Sequence, residues 1–281
     1  MNQTVSVKLA FGVVIFSVLS SLAIASIIAA AGTVQSNEHN QNFYNYTALF
    51  VGQGFMVVPL LLFLISRKEP ILRRLRIRAI SSPVVFSVVL ISLGLIPLVD
   101  EMDRILSYAF GHEQVLAELS DILIIDSTLI GLLLTITVVI LAPLGEEILF
   151  RGFLQKLLEE SWQDITRAVL ITSLFFAFIH MNPVWVIQIY FLGVILGYLA
   201  WKTGSILTSL ILHSLNNGTA LFLTNYSDTI EPYYLWNNHV SPIFLALAAI
   251  ALWAGFIRSV SYTHLRAHET DSYLVCRLLL E

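Results

Sequence analysis

The apolar residues of this chain fall in blocks of about 17 to 25, the length an α-helix needs to cross a bilayer core of about 30 Å. Spans are expected near 9–31, 47–66, 83–98, 122–142, 165–182, 184–201, 205–224 and 240–258. The fold class that follows is all-α, a polytopic transmembrane helical bundle of about eight spans. Composition agrees. Only 12% of residues are charged and the mean hydropathy is +0.81, too few charges to coat a water-facing surface. The formal net charge of -4 provides no basic footprint for nucleic acid, so none is expected as a partner; the bilayer is. The first block is read as a retained helix, because it is long for a signal peptide and no small-residue cleavage site stands out after it. The expected location is a cell membrane, crossed several times.

Charge sets the orientation. Arg67, Lys68, Arg73, Arg74, Arg76 and Arg78 crowd the loop between the second and third spans, which places that loop in the cytoplasm. Counting outward, the N-terminus with Lys8 is also inside, as are Lys202 and Arg258. The loops at 32–46, 99–121 and 225–239 then face out, with Arg104 their one basic residue. The 99–121 loop mixes acids with Leu, Tyr and Phe and reads as an amphipathic helix on the membrane surface.

Ionisable groups inside spans are costly unless paired or hydrated, so each is a functional candidate. The first set is Glu146-Glu147-Ile148-Leu149-Phe150-Arg151, just after Pro143 and Gly145, the one obvious helix break before a charge cluster. Glu147 and Arg151 are i,i+4 neighbours with the acid first, the better order for an ion pair. Glu146 points about 100° away and is free for another task. The second is His180 at the end of Phe176-Ala177-Phe178-Ile179-His180. The third is His213-Ser214-Leu215-Asn216-Asn217, where His213 and Asn217 share a helical face. Taken singly, these are equally an interfacial helix end, a hydrogen-bonded core histidine and a polar glue between helices. Together they say more. With Trp162-Gln163-Asp164 as the turn of a helical hairpin, Glu146 and His180 each lie about 17 residues, or about 25 Å, from its middle and at equal height. A carboxylate and an imidazole facing each other across a hairpin form a general-base pair.

The segment from about Leu141 to Thr219 resembles the CPBP family of intramembrane proteases, which includes the CAAX prenyl endopeptidases and bacterial immunity-type relatives. The residues that carry the resemblance are Glu146-Glu147-x-x-x-Arg151, Phe176-x-x-x-His180 and His213-x-x-x-Asn217, with the glycine-bearing helix Phe191–Tyr198 and the turn Thr203-Gly204-Ser205 between them. The resemblance implies an endopeptidase that cleaves a membrane-associated peptide or protein. Glu146 would activate water with His180 as its partner, Glu147 and Arg151 would support the site, and His213 and Asn217 would hydrogen-bond the developing oxyanion. No cofactor is required on the preferred glutamate reading. Zinc is the alternative, held by Glu146, His180 and His213 around an open water position. The rival function is a non-enzymatic membrane transporter or an immunity-type binding protein. By region, residues 1–120 are expected to be N-terminal transmembrane helices and 121–259 the CPBP-like catalytic membrane core.

Residues 260–281 stand apart. The run Ser261-Tyr262-Thr263-His264-Leu265-Arg266-Ala267-His268-Glu269-Thr270 resembles translated sequencing-adapter read-through. It is read as a non-native tail and kept out of fold reasoning. Cys276, the single cysteine, falls in it, as do His264 and His268 with their i,i+4 spacing.

Overall fold

The computed structural model describes residues 5–35, 38–110, 123–183 and 185–258. The tail from 260, with Cys276, His264 and His268, lies outside them, as does much of the expected surface loop (111–122). The chain is helical, as its pattern predicts. In order come α1 (Val7–Gln35), α2 (Glu38–Phe55), α3 (Val58–Ser66), the short α4 (Ile71–Arg74), α5 (Ser82–Phe110), α6 (Thr128–Trp162), α7 (Ile165–Ile179), α8 (Val186–Thr203), α9 (Ile206–Tyr234) and α10 (Pro242–Arg258). Helix α2 runs on into α3 through a tight turn, and together they supply one span. Among the described residues six helical stretches are long and apolar enough to cross a membrane, and α7 and α10 are shorter apolar helices beside them.

Two expectations need correction. The third span does not stop near residue 98. Helix α5 continues through Pro97 to Phe110, and Asp100 pairs with Arg104 one turn on at 3.2 Å. Asp100 and Asp103, which mark a loop in the sequence, instead line a cavity in the bundle. Nor does Pro143-Leu144-Gly145 break its helix. Helix α6 passes through it, because Thr135–Leu141 and Ile148–Gln155 on either side are wound as π-helix. A proline inside an α-helix clashes with the carbonyl four residues back; the wider π turn relieves this. In the π register Ala142 donates its N–H to the Thr137 carbonyl, so the carbonyl left for Pro143 is that of Val138.

The turns are built from local chemistry. Gln163 ends α6 in the left-handed conformation (φ 53°), and Asp164 caps α7 by accepting from the Arg167 N–H at 2.9 Å. This is the hairpin turn expected at Trp162–Asp164. Gly204 (φ 64°) ends α8, and Ser205 caps α9 by accepting from the Leu207 N–H at 3.2 Å. The basic loop joins both turns. Arg74 pairs with Glu160 at 2.7 Å, Arg76 pairs with Glu159, Lys156 donates to the Arg73 carbonyl, and Ser205 donates to the Arg78 carbonyl at 2.6 Å. The loop and these two turns therefore share one face of the membrane.

Lipid chains are as apolar as leucine, so helices associate in a bilayer by close packing and hydrogen bonds. Ser21 of α1 donates to the Gly52 carbonyl of α2 at 2.7 Å. Gly94 of α5 sits so close to Ala248 and Leu252 of α10 that an added Cβ would fall 2.5 Å from backbone atoms. The main buried cluster draws Val5, Ala10, Val14, Leu60 and Leu64 together with Phe150, Phe153, Leu157 and Phe176. The helices before and after residue 120 thus share a core.

At the opposite face a two-residue hairpin pairs Leu235–Trp236 with His239–Val240, which the all-α reading does not anticipate. Asn237 and Asn238 both have positive φ (51° and 65°), the backbone that a tight two-residue hairpin turn requires. Glu101 fixes the hairpin to α5, accepting from the Val240 N–H at 2.7 Å and bonding the His239 ring at 2.8 Å.

Candidate active site

The six residues singled out from the sequence come together on α6, α7 and α9. Glu146 and Glu147 occupy the α-helical turn between the two π segments of α6, and their side chains part as the 100° step predicts. Glu147 turns inward, fully buried with Arg151, which donates to it at 2.8 Å. Glu146 lines a cavity of about 830 Å³, together with His180, His213 and Asn217.

Glu147 is the hub behind the cavity. One of its oxygens accepts from Arg151 and also bonds Nδ1 of His213 at 2.9 Å. An ionised carboxylate only accepts, so the hydrogen of that bond is on Nδ1 and the Nε2 edge of the ring faces the cavity. Nε2 lies 3.6 Å from Oε2 of Glu146. Arg151 is held on two further sides. Its guanidinium donates to the Gly193 carbonyl of α8 at 3.3 Å and stacks over the Phe176 ring, 4.2 Å from its centroid. A buried charge pair is tolerated when hydrogen bonds satisfy what the partner leaves open.

His180 comes from the C-terminal cap of α7. Its Nδ1 donates to the Phe176 carbonyl at 2.7 Å, since a carbonyl can only accept, and its ring packs edge-on against the Phe176 ring. Nε2 of His180 then faces Oε2 of Glu146 across 4.0 Å, as expected from their equal distance to the hairpin turn. That oxygen of Glu146 is buried and has no hydrogen-bond partner among the described residues.

Asn217 is placed on the cavity wall in a way the sequence does not announce. Its amide donates to the Val138 carbonyl at 3.1 Å, the acceptor orphaned by Pro143. One amide hydrogen is therefore committed to the backbone and one remains.

Several residues beyond the six complete the site. Gln155, fully buried, donates to Glu159 and to the Gly197 carbonyl, each at 2.9 Å. Arg151 and Gln155, four apart on α6, thus bond the carbonyls of Gly193 and Gly197, four apart on α8. The glycines permit it: an added Cβ would lie 3.4 Å from Arg151 at Gly193 and 2.8 Å from Gln155 at Gly197. The matched spacing of four on both helices was the signal in the sequence. Away from the site the cavity is lined by Asp100, Asp103 and Arg104 of α5 and by Glu231 of α9.

The zinc alternative names two imidazoles and a carboxylate, a suitable donor set by chemistry. Nε2 of His180 and Nε2 of His213 lie 4.0 and 3.6 Å from the same oxygen of Glu146. Among the described residues no group of three His, Cys, Asp or Glu side chains is arranged to hold a metal ion.

No curated protein and no solved structure is detectably similar to the chain. A family model does match, over the helices that carry every residue of the site. Residues 128–219, about a third of the chain, match the type II CAAX prenyl endopeptidase Rce1-like family, so this segment is similar to that family, and the match supports a membrane-embedded protease of the CAAX type.

Proposed function

We propose that the protein is an intramembrane endopeptidase that hydrolyses a peptide bond of a membrane-associated substrate with water activated between Glu146 and His180. The observation that carries this reading is the 4.0 Å gap between Oε2 of Glu146 and Nε2 of His180. Both atoms accept, and the gap has the length that a water at about 2.8 Å from each would bridge while donating a hydrogen to each. Its lone pairs then point into the cavity, toward a bound carbonyl.

As the water oxygen bonds the carbonyl carbon, one proton passes to Glu146. The carbonyl oxygen gains the negative charge. The remaining amide hydrogen of Asn217 is assigned to that oxygen, with His213 joining it when Nε2 carries a hydrogen. When the C–N bond breaks, the proton on Glu146 goes to the departing nitrogen and the product's hydroxyl proton passes to Nε2 of His180, leaving a carboxylate product, an amine and a His180 that returns its proton to solvent. Glu147 and Arg151 are positioning residues: they fix the tilt of His213 and the register of α6 against α8. The catalytic portion is assigned to residues 121–259, and no step uses a metal.

The test is proteolysis by the purified protein in the presence of a strong chelator, with metal content measured on the same sample. Undiminished cleavage by metal-free protein is expected. Loss of cleavage in chelator with recovery on adding zinc would overturn the glutamate mechanism and favour the metalloprotease one.

A further inference from the structure

The walls of the cavity come from one half of the bundle. Helix by helix, the lining residues are Leu49 and Gln53 of α2, Ile96 to Arg104 of α5, Thr137 to Glu146 of α6, Phe176 and His180 of α7 with its following turn, Trp185 to Leu192 at and after the start of α8, and His213 to Glu231 of α9. In α5, α7 and α8 these are the residues far from the basic loop and the turns it joins; in α2 and α6 they reach only to mid-helix, and in α9 they run from His213, nine residues past Gly204, to Glu231 at the far end. No lining residue comes from the ends at that loop. On that side the cavity is closed by fully buried side chains: Glu147 with Arg151, then Gln155, with Phe150 and Phe153 beside them. The two rungs from Arg151 and Gln155 to the glycine carbonyls of α8 lock this floor.

The same loop orients the molecule. Every lysine and arginine of the described residues, apart from Arg104 and the buried Arg151, belongs to the face that holds the Arg67–Arg78 loop. Such an imbalance places that face in the cytoplasm. Helix length agrees. At the α-helical rise the 35 residues of α6 would span about 52 Å, and with its two π segments rising less it still exceeds a hydrocarbon core of about 30 Å; the excess carries its charged end with Lys156, Glu159 and Glu160 out of the bilayer at the basic face.

We propose that the cavity is entered from the non-cytoplasmic face of the membrane. Resting on the protease reading, the substrate class follows: a membrane-anchored polypeptide whose scissile segment lies on the non-cytoplasmic side, threaded toward Glu146 past the charged residues Asp103, Arg104 and Glu231. A substrate presented only in the cytoplasm would meet the sealed floor.

Cysteine accessibility tests entry without reference to proteolysis. In full-length protein with Cys276→Ser, single Gln163→Cys, Glu231→Cys and Thr219→Cys variants are placed in right-side-out and inside-out membrane vesicles. A bulky, membrane-impermeant maleimide is expected to label Glu231→Cys in right-side-out vesicles and Gln163→Cys in inside-out ones. A small charged thiosulfonate is expected to modify Thr219→Cys, midway down the cavity wall, at least 10-fold faster in right-side-out vesicles. Faster or equal modification in inside-out vesicles would overturn the proposal, as would labelling of Gln163→Cys and Glu231→Cys from the same side. Thr224→Cys replaces Thr219→Cys if the latter does not accumulate. For the substrate class, one cleavable segment is fused on either side of the same single membrane helix. Cleavage only of the non-cytoplasmic fusion is expected, and cleavage of the cytoplasmic one would overturn it. Predicted labelling with neither fusion cleaved would support entry and reject the protease reading.

Discussion

Asn217 donates its side-chain amide to the carbonyl of Val138 at 3.1 Å, and the N–H that this carbonyl lacks is the one Pro143 does not have. One side chain on α9 thereby lets α6 carry a proline just before its two glutamates without breaking. The bond fixes α9, and with it His213, at the height of Glu146.

This pairing predicts a specific non-additivity. Asn217→Ala should cost about 1 kcal/mol of stability, the scale of a hydrogen bond between helices in a membrane. In a Pro143→Ala background the backbone recovers its own N–H, and the same substitution should cost close to nothing. Thermal unfolding of the four proteins in one detergent measures the cycle. An equal cost in both backgrounds would show that Asn217 does not stand in for the missing N–H.

The buried Glu147–Arg151 pair makes a second. Arg151→Met leaves Glu147 charged and without its guanidinium, and should destabilise by about 3–5 kcal/mol. Adding Glu147→Gln removes the stranded charge and should recover most of that stability, while activity stays low because His213 loses its ionised partner. Unfolding and cleavage assays on both variants separate the two effects. A double variant no more stable than Arg151→Met alone would argue that the pair is not the main cost.

The α6–α8 rungs give a third. Gly197→Ala places a methyl group 2.8 Å from the Gln155 amide oxygen and 3.1 Å from Val169, so α8 must move off α6. Cleavage should fall at least tenfold, and Gln155→Ala in addition should restore part of it by making room. Rates of the single and double variants check this; a double variant slower than Gly197→Ala would place the clash elsewhere.

Much of the site was legible in the sequence because its parts are local. The i,i+4 pair Glu147–Arg151, the turn at Gln163 and the level match of Glu146 with His180 depend only on helical spacing within a single hairpin. What was not legible depends on register and on distant partners. Pro143 reads as a break because nothing in the spacing reveals π turns, and the partner that relieves it is Asn217, on another helix. Asp100 and Asp103 read as a loop because acids ordinarily end a span; the cavity that accommodates them exists only once α5, α6 and α9 are assembled. Gln155 is not among the residues singled out from the sequence, although its spacing from Arg151 repeats that of Gly193 and Gly197.

Glu146 carries the central claim, and one substitution reaches it most directly. Glu146→Gln keeps the size and burial of the side chain but cannot take a proton from water. With purified protein and a membrane-anchored peptide, the products identified by mass, cleavage should fall by at least 1,000-fold while thermal unfolding stays within a few degrees of the parent. Cleavage at or near the parent rate would contradict the account, because the water would then be activated without the carboxylate that faces His180.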